Sequence, residues 1–467
     1  MTRLIGLCVC LLLLFAGRST DAQQKYWLDP TALAKLNVTL PEPDRCSEWL
    51  GACTYALTED QRSAVTAAGG SLTPMLTFAP ASLVHKDPIL GFALEQIQAN
   101  YFLEMGLTGQ GVKIGIIDGG FLKANKDPTL RHLFEKGLVK SYKDYITPEM
   151  EPYGGAIGLD DNHGTEVWQL IGGFDKEKNI LYGLATEAEY YLARTDHGAY
   201  EKRIEEDLFI LALEEMEQQG IRLVNVSLGY NLGYTDASEN YKPNQMDGQT
   251  TAIARAVEIA ATQKGMLIVV AAGNEARDAW QTLSTPGDAP HALTVGASKF
   301  DIWDKMDYSS IGPDYTDFVK PDISVYSTLG TSYSTPIVTG LVACLWQMDP
   351  TLTNLEIIDL LKEAGNFYPY PNNYLGYGVP TCPNIIKVMD GQTMVRPQKV
   401  RTSKESYKLT RDFDTKYLVA FHKKDERNVM ARVVYRPVGN KVKIKRIEGA
   451  GQTSLLMGKE VIEIFWE

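Results

Sequence analysis

Three short apolar runs mark the middle of the chain. They read VKIGIID (112–118), RLVNVSL (222–228) and MLIVVAAG (266–273), and each has the length of one β-strand with few polar positions. Continuous apolar runs of this length are typical of strands that are buried on both faces of a parallel sheet. The three runs therefore predict central strands of one sheet.

Amphipathic stretches lie between these runs. YEKRIEEDLFILALEEMEQQG (200–220) and GQTTAIARAVEIAATQKG (248–265) each end in Gly, as helices often do. The alternation predicts an α/β domain over residues 97–390, with a doubly wound, mostly parallel sheet and helices on both faces. In such a fold, functional residues are expected at the carboxyl ends of the strands.

The pattern changes on both sides of this domain. A small α+β unit is predicted over residues 23–96. Its elements are a strand in CTYAL, a helix capped by Thr58 in LTEDQRSAVTAAGG and a second strand in SLTPMLTF. Alternating or β-branched runs such as YLVAF, MARVVYRPV, KVKIKRI and VIEIFW predict a small β module over residues 391–467.

Residues 1–22 have the pattern of a secretory signal peptide. Arg3 precedes the uncharged run Leu4–Ala16, and the polar stretch GRSTDA follows. A run of 13 residues is too short for a membrane span, which needs about 20. A buried first helix is the alternative, but it would normally show a polar face. We therefore predict cleavage after Ala22 and an exported protein, extracellular or in the cell envelope, with no membrane span in the rest of the chain.

Charge is distributed unevenly along the chain. The 46 Lys and Arg residues and 58 Asp and Glu residues give a net charge of −12. This balance argues against nucleic acid as a partner, because phosphate binding needs a cationic surface. Residues 391–467 contain 17 basic and 9 acidic residues, a net of +8, so the remainder carries −20. The change of sign supports a separate module at that end.

Four of the six cysteines lie after the predicted signal peptide, at positions 46, 53, 344 and 382. An even number in an oxidising compartment predicts disulfide bonds, and four cysteines allow three pairings. The short loop in CSEWLGAC favours Cys46–Cys53, which leaves Cys344 for Cys382. The alternative is that Cys344 is a small buried thiol in an apolar helix. No CxxC pair occurs, so a zinc ribbon is not supported.

Four segments place a reactive side chain at a strand end or a helix start. They are KIGIIDGGF with Asp118, DDNHGTEVW with His163, VVAAGNEA with Asn274 and GTSYSTPIV with Ser332. Taken singly, each residue has a commoner structural interpretation as a cap, a turn residue or a satisfied core group. Taken together they have one chemical explanation. A serine nucleophile needs an imidazole base, the base needs a carboxylate that fixes its tautomer, and the oxyanion needs an amide donor.

Over residues 97–390 the chain resembles the subtilisin family of serine endopeptidases, the subtilases. The resemblance lies in the order Asp, His, Asn, Ser and in the motifs IGIIDGG, NHGTEV, VNVSLG, AAGN and GTSYSTP. HGT combined with GTSxxxP in this order is far more specific than either motif alone. The resemblance implies a hydrolase that cuts peptide bonds. It also implies the roles of four residues: Ser332 as nucleophile, His163 as base, Asp118 as the group that orients the base and Asn274 in the oxyanion hole.

The resemblance also implies the substrate contacts. An extended substrate would pair with the segment Ser227, Leu228 and Gly229 as an added strand. The pocket for the side chain before the scissile bond would be walled by Ala271, Ala272 and Gly273. Both segments are uncharged, so we expect a neutral, apolar side chain in that pocket.

Residues 23–96 occupy the place of the propeptide that the resembled family usually carries. We expect the enzyme to cut itself between Ala81 and Gln96, after Pro80 ends the strand SLTPMLTF. A retained N-terminal domain is the alternative, because a Cys46–Cys53 bridge would be unusual in a propeptide.

Three positions depart from the family pattern. Gly119 follows the motif Asp where Ser or Thr is usual, the Ser motif reads YST, and Glu166 stands where a second His is common. If His163 begins a helix, Glu166 lies on a neighbouring face. A carboxylate there would favour the imidazolium form of His163 and would move the acid limb of activity to higher pH. The alternative is that Glu166 points to solvent, where its charge is screened.

No cofactor and no metal-ligating residue are predicted. Calcium is common in the resembled family, but no acidic cluster has a recognisable loop spacing, so a structural calcium site is not assigned to residues. The expected partners are protein or peptide substrates, and we expect a monomer. Two alternatives stay open. One is a catalytically silent binding protein with this fold, and the other is an acid-active enzyme of the sedolisin type, which would place acidic residues at the positions of His163 and Asn274.

Overall fold

The computed structural model describes residues 24–28, 40–41, 43, 45–47, 52–68, 73–74, 92–154, 162–197, 201–392 and 394–467. The chain forms two compact units, Met1–Ser82 and Leu83–Glu467. The predicted signal peptide, residues 1–22, lies outside the described residues. None of the described helices is both long and apolar enough to cross a membrane.

The first unit contains a small antiparallel sheet and one helix. Its strands, in the spatial order β2-β3-β1-β4, are β1 Gln24–Leu28, β2 Arg45–Ser47, β3 Ala52–Leu57 and β4 Thr73–Pro74. Helix α1, Glu59–Ala67, begins after Thr58. Thr58 Oγ1 accepts from Gln61 N–H (3.3 Å), and Gln61 Oε1 accepts from Thr58 N–H (2.9 Å), so the predicted cap is confirmed.

The four cysteines after residue 22 fall into two different situations. Cys46 and Cys53 face each other across β2 and β3. Directly opposed residues of an antiparallel pair have Cα atoms about 4.5–5.5 Å apart, within the span of a disulfide, so the register is compatible with the predicted bridge, which stays a prediction. Cys344 and Cys382 are free and fully buried, which contradicts their pairing and confirms Cys344 as a buried thiol. Burial raises the pKa of Cys344 to about 12, which disfavours its reactive thiolate form.

The second unit is built around a seven-stranded sheet with the order β13-β12-β11-β10-β5-β9-β6, in which all neighbours are parallel. Its strands, together with the small pair β7 and β8, are β5 Lys113–Asp118, β6 Val139–Asp144, β7 Phe174–Asp175, β8 Ile180–Leu181, β9 Glu189–Arg194, β10 Leu223–Val226, β11 Leu267–Ala271, β12 Leu293–Ser298 and β13 Ile323–Tyr326. Its helices are α2 Phe92–Gln96, α3 Asn100–Glu104, α4 Arg131–Glu135, α5 His163–Gly172, α6 Ile204–Gln218, α7 Ala252–Lys264, α8 Thr331–Met348, α9 Asn354–Ala364 and α10 Cys382–Met389.

Successive residues of the central strands enter two separate cores. In β11, Leu267 and Val269 pack in the core that contains α5 and α8, while Ile268 and Val270 pack in the core that contains α6 and α7. Both faces of the sheet are therefore covered, which explains why every residue of β10, β11, β12 and β13 is buried. The predicted fold class, the three predicted strands and the two predicted helices are confirmed.

Gln96 ties α2 to the carboxyl ends of two strands. Its Nε2 donates to Ser298 Oγ and to Lys299 O (both 3.0 Å), and its Oε1 accepts from Tyr326 N–H (2.7 Å). With a side chain held in this way and 3% exposure, Gln96 is a poor site for proteolysis. Residues 81–91, most of the range of the predicted autocleavage, lie outside the described residues, so the autocleavage stays a prediction.

The C-terminal part of the chain is an all-β module, as predicted. Its strands are β14 Gln398–Thr402, β15 Ser406–Thr410, β16 Leu418–Lys423, β17 Val429–Tyr435, β18 Lys441–Lys445, β19 Gln452–Met457 and β20 Glu460–Trp466. They form a five-stranded sheet, β14-β20-β19-β16-β17, and the separate pair β15-β18. The module shares a compact unit with the α/β sheet, because Phe421 packs on Phe367 (ring centroids 5.9 Å apart) and Arg432 pairs with the buried Asp304.

Candidate active site

The carboxyl ends of four adjacent strands meet along one edge of the main sheet. Asn274 follows β11, Ser227 follows β10, Asp118 ends β5 and Asp196 follows β9, in that spatial order. Parallel strands bring their carboxyl ends to the same edge, so residues far apart in sequence become neighbours. The site is therefore at the edge that the strand pattern predicted.

Asp118 and His163 form a hydrogen-bonded pair at this edge. The Asp118 carboxylate is fully buried, and its Oδ1 accepts from Gly119 N–H (2.8 Å) and lies 2.7 Å from His163 Nδ1. A buried carboxylate needs such donors, because burial without them is costly. The contact places a proton on His163 Nδ1 and leaves Nε2 as the basic nitrogen.

Gly164 makes the approach of these two residues possible. A Cβ at position 164 would lie 2.6 Å from Gly120 O and 2.9 Å from the Cβ of Asp118. Helix α5 could not start this close to the end of β5 with any larger residue. The glycine of the HGT motif therefore has a steric role.

Ser332 lies in the first turn of α8 and is joined to the end of β10 by two hydrogen bonds. Ser332 Oγ donates to Ser227 O (3.1 Å), and Ser227 Oγ donates to Ser332 O (2.9 Å). The second bond is explained by Pro336, which lies four residues after Ser332 inside the helix and has no N–H for the Ser332 carbonyl. Ser227 supplies the missing donor, so the proline of GTSxxxP couples the helix start to the sheet.

Asn274 is oriented by the residue before Ser332. Its Oδ1 accepts from Thr331 N–H (2.9 Å) and from Thr331 Oγ1 (3.2 Å). The side chain is exposed, and with its oxygen turned to the helix it can offer the Nδ2 amine to the cleft. An amide donor at the cleft is what the predicted role of Asn274 needs.

A cleft of about 330 Å³ brings these residues together. It is lined by Gly119, His163, Asp196, Glu201, Ser227, Leu228, Gly229, Ala271, Gly273, Asn274, Glu275, Ser284, Thr331 and Ser332. Five of the six residues predicted to contact substrate are among them. Ala272 is different, because it is fully buried and its N–H and C=O bond to Val295 O and Ser284 N–H. It lies behind the wall of the cleft.

Sequence reasoning missed several polar residues of this cleft. Glu275 Oε2 accepts from Asn274 N–H (2.7 Å), Ser310 Oγ (2.9 Å) and Ser284 Oγ (3.3 Å), so its carboxylate is folded back under the oxyanion loop. Asp196 and Glu201 line the opposite side. Like Asp118, Asp196 lies at the carboxyl end of a strand of the sheet, but that strand, β9, was not among the predicted ones.

Glu166 is half-buried, and its carboxylate is held by two hydrogen bonds. Its Oε1 accepts from Asn162 Nδ2 (2.9 Å), and its Oε2 accepts from Tyr333 Oη (2.5 Å). The Tyr333 ring in turn meets the His163 ring edge to face, with centroids 5.8 Å apart. Glu166 is thus linked to His163 through Tyr333.

Comparison with known proteins identifies the family of the chain. The model of the subtilase family matches residues 109–378, so the chain belongs to the subtilase family. Subtilisin NAT of Bacillus subtilis subsp. natto is 26% identical over 301 residues, which cover 62% of this chain and 68% of that protein. Subtilisin of Bacillus pumilus is 26% identical over 290 residues, 59% of this chain and 91% of that protein.

Among solved structures, MycP1 from Mycobacterium smegmatis is similar with a TM-score of 0.49 and 19% identity, over 69% of this chain and 88% of that one. A cold-adapted subtilisin-like serine proteinase is similar with a TM-score of 0.40 and 23% identity, over 59% of this chain and 88% of that one. Membership in the family defines the chain as a hydrolase, a subtilisin-like serine protease whose substrates are peptides.

Proposed function

We propose that this protease is an exported endopeptidase that uses Ser332, His163 and Asp118 to hydrolyse peptide bonds. The observation that carries the proposal is the 2.7 Å contact between His163 Nδ1 and the buried Asp118, at a cleft that Ser332 also lines. Export is supported by the apolar run after Arg3, and the propeptide role of residues 23–96 by their place ahead of the α/β domain.

The reaction follows from the tautomer of His163. Nε2 takes the proton of Ser332 Oγ while the oxygen attacks the peptide carbonyl. The oxyanion accepts from Asn274 Nδ2 and from the N–H of Ser332, which lies in the first helical turn, where N–H groups lack intrahelical partners. The imidazolium then protonates the leaving amine, and an acyl-enzyme forms. Water attacks the ester with His163 again as base, and Ser332 is regenerated with release of the acid product.

The substrate is proposed to bind as an extended strand along Ser227, Leu228 and Gly229. These residues continue β10 into the cleft instead of turning into a helix, so their backbone is available for pairing. The side chain before the scissile bond then enters the cleft between this segment and Ala271 and Gly273, which carry no charge.

A fluorophosphonate probe tests the nucleophile. We expect the processed wild-type protein and the control Ser334→Ala to be labelled, and Ser332→Ala to remain unlabelled. Ser334 is a suitable control because it lies in the same helix, is buried and bonds to Thr331 O (3.0 Å). Folded wild-type protein without labelling would favour the catalytically silent binding protein. N-terminal sequencing of protein recovered outside the cell tests cleavage after Ala22.

A further inference from the structure

One face of the two-stranded ribbon β15-β18 in the C-terminal module is cationic. Lys441, Lys443 and Lys445 are exposed, and they alternate along β18 with Val442 and Ile444, which are buried in the core of the module. Because successive side chains of a strand point to opposite sides, the three lysines stand in one row, with the first and last Cα atoms about 14 Å apart. The ribbon therefore turns an apolar face to the module and a row of ammonium groups away from it.

The other strand of the ribbon adds a fourth lysine to this row. Lys408 of β15 lies directly opposite Lys443. Lys408 is exposed, whereas its neighbours Tyr407 and Leu409 pack against the core of the module, so Lys408 points to the same side as the row. Like charges that face each other across two strands destabilise the pair. We call the four residues Lys408, Lys441, Lys443 and Lys445 the lysine face.

No acidic side chain balances the lysine face within the ribbon. Its two remaining positions are Ser406 and Thr410, which carry hydroxyl groups. Within the described parts of the chain, none of the four ammonium groups makes an ion pair or a hydrogen bond. By contrast, Lys424 of the same module is also exposed and pairs with Asp314 at 2.8 Å. The lysine face thus keeps its charges available for a partner outside the chain.

An exposed valine stands at the end of the lysine face. Val438 is 83% exposed and pairs with Lys441 across the turn between β17 and β18. Two backbone hydrogen bonds hold this turn, from Val438 N–H to Lys441 O (2.9 Å) and from Lys441 N–H to Val438 O (3.2 Å). Directly opposed residues of an antiparallel pair share one side of the ribbon. Val438 therefore adds an apolar group to the cationic surface.

The distribution of charge along the chain favours an anionic surface as the partner. Residues 391–467, which include the lysine face, carry 17 basic and 9 acidic residues, a net of +8 in a chain whose total is −12. Such a separation orients the positive part of the molecule toward a negatively charged surface. A bilayer that contains anionic lipids offers both headgroup phosphates for lysines and an apolar layer beneath them for a small aliphatic side chain.

We propose that the lysine face docks the protein reversibly on an anionic bilayer, with Val438 inserted among the headgroups. The inference goes beyond the proposed function and does not depend on it. A lysine is a point charge on a flexible stem, which suits mobile headgroup phosphates better than a fixed bidentate partner. A soluble polyanion would use the four lysines but would gain nothing from Val438, so the valine favours the bilayer.

The experiment is co-sedimentation of the full chain with vesicles, in a Ser332→Ala background that keeps the chain intact. We expect binding to phosphatidylcholine vesicles in which one lipid in three is phosphatidylglycerol, and none to phosphatidylcholine alone. Binding should disappear in 1 M salt, where charges are screened beyond about 3 Å. Each lysine near an anionic surface strengthens binding about 5-fold, so replacing Lys441, Lys443 and Lys445 together by Gln should lower the partition coefficient about 100-fold.

Two matched variants control this result. Replacing the same three lysines by Arg keeps their charge and should keep vesicle binding. Replacing Lys126, Lys176 and Lys242 by Gln removes three equally exposed charges outside the module and should leave binding unchanged. The variant with three Gln residues in β18 should unfold in urea at the same or a higher midpoint, because it loses the repulsion between Lys408 and Lys443.

Val438→Ser distinguishes a bilayer from a soluble polyanion. It should weaken binding to the phosphatidylglycerol vesicles and leave binding to heparin, a sulfated polysaccharide, unchanged. Heparin binding without vesicle binding would assign the lysine face to a polysaccharide and overturn the inference. Equal binding to both kinds of vesicle, or an equal loss in the variant that lacks Lys126, Lys176 and Lys242, would overturn it as well.

Discussion

At the scale of single residues, the proposed reaction depends on the contact between the Asp118 carboxylate and His163. Asparagine at position 118 preserves size but can present an amine to Nδ1, which leaves Nε2 protonated and unable to act as base. We expect Asp118→Asn to lower kcat by about 10⁴-fold with little change in KM. Initial rates with a quenched peptide measure this. The control is Asp127→Asn, which should remain active. It alters a carboxylate that accepts from Gln169 Nε2 (2.9 Å), and Gln169 lies in α5, the helix that also carries His163. A loss of less than tenfold in Asp118→Asn would contradict the tautomer argument.

The contact of Glu166 with Tyr333 leads to a prediction about pH. A carboxylate near His163 favours the imidazolium, so Glu166→Gln should move the acid limb of kcat/KM to lower pH. Tyr333→Phe removes one donor from the carboxylate, strengthens its field at the imidazole and should move the limb to higher pH. Both shifts should shrink with added salt.

The control for this pair is Glu177→Gln, whose side chain is 73% exposed and pairs with Arg131 away from His163. Profiles measured at low ionic strength decide the question. If neither Glu166→Gln nor Tyr333→Phe moves the acid limb, Glu166 has only a structural role at the start of α5.

At the scale of elements, the start of α8 positions both the proposed nucleophile, Ser332, and the proposed oxyanion donor, Asn274. Thr331 holds Asn274 Oδ1 through its N–H and its hydroxyl, and its hydroxyl also meets Gly273 N–H (3.0 Å). We expect Thr331→Val to lower kcat by about 10²-fold, because a loosened Asn274 no longer meets the oxyanion. Thr335→Val is the matched control. It removes a buried hydroxyl one turn later that bonds Thr331 O (2.8 Å), so it should cost similar stability and little kcat. Equal kcat losses in both would argue for a general effect on the helix.

How well the sequence predicted the structure differs from one secondary-structure element to another. β5, β10 and β11 were predictable because they are continuous apolar runs, whereas the edge strand β6 reads VKSYKD and buries only Asp144, so it carries no such signal. The placement of the four candidate residues was predictable, because their motifs stand at strand ends and helix starts. Tyr333 and Glu166 are 167 residues apart, and no local pattern reports a contact of that kind. Asp196 follows a strand that was itself missed.

At the scale of the whole molecule, the β module and the α/β sheet belong to one compact unit, and we expect them to unfold together. Phe421 is fully buried against Phe367, so Phe421→Ala should destabilise the unit by about 3–5 kcal/mol. Unfolding in urea, followed by tryptophan fluorescence and by residual activity, should show one shared and shifted transition. Val438→Ala changes a side chain that is 83% exposed and should have little effect. A change in tryptophan fluorescence that precedes any loss of activity would show that the β module and the α/β sheet unfold independently.

The strand order of the main sheet has a consequence for the time that the chain needs to fold. In β5, Ile114 pairs with Tyr190 on one side and Leu223 on the other, partners 76 and 109 residues away. Such non-local pairing makes folding slow, because large loops must close before any contact compensates for their entropy. The proposed nucleophile, Ser332, lies in a helix that follows the last strand of this sheet, so a chain that is still folding is not yet a protease. It is, however, an extended polypeptide, and every unfolded copy is a potential substrate for those that have already folded. Survival in a mixed population is therefore a competition between folding rate and cleavage rate, and the persistence of active protein depends on how rarely a folded copy opens.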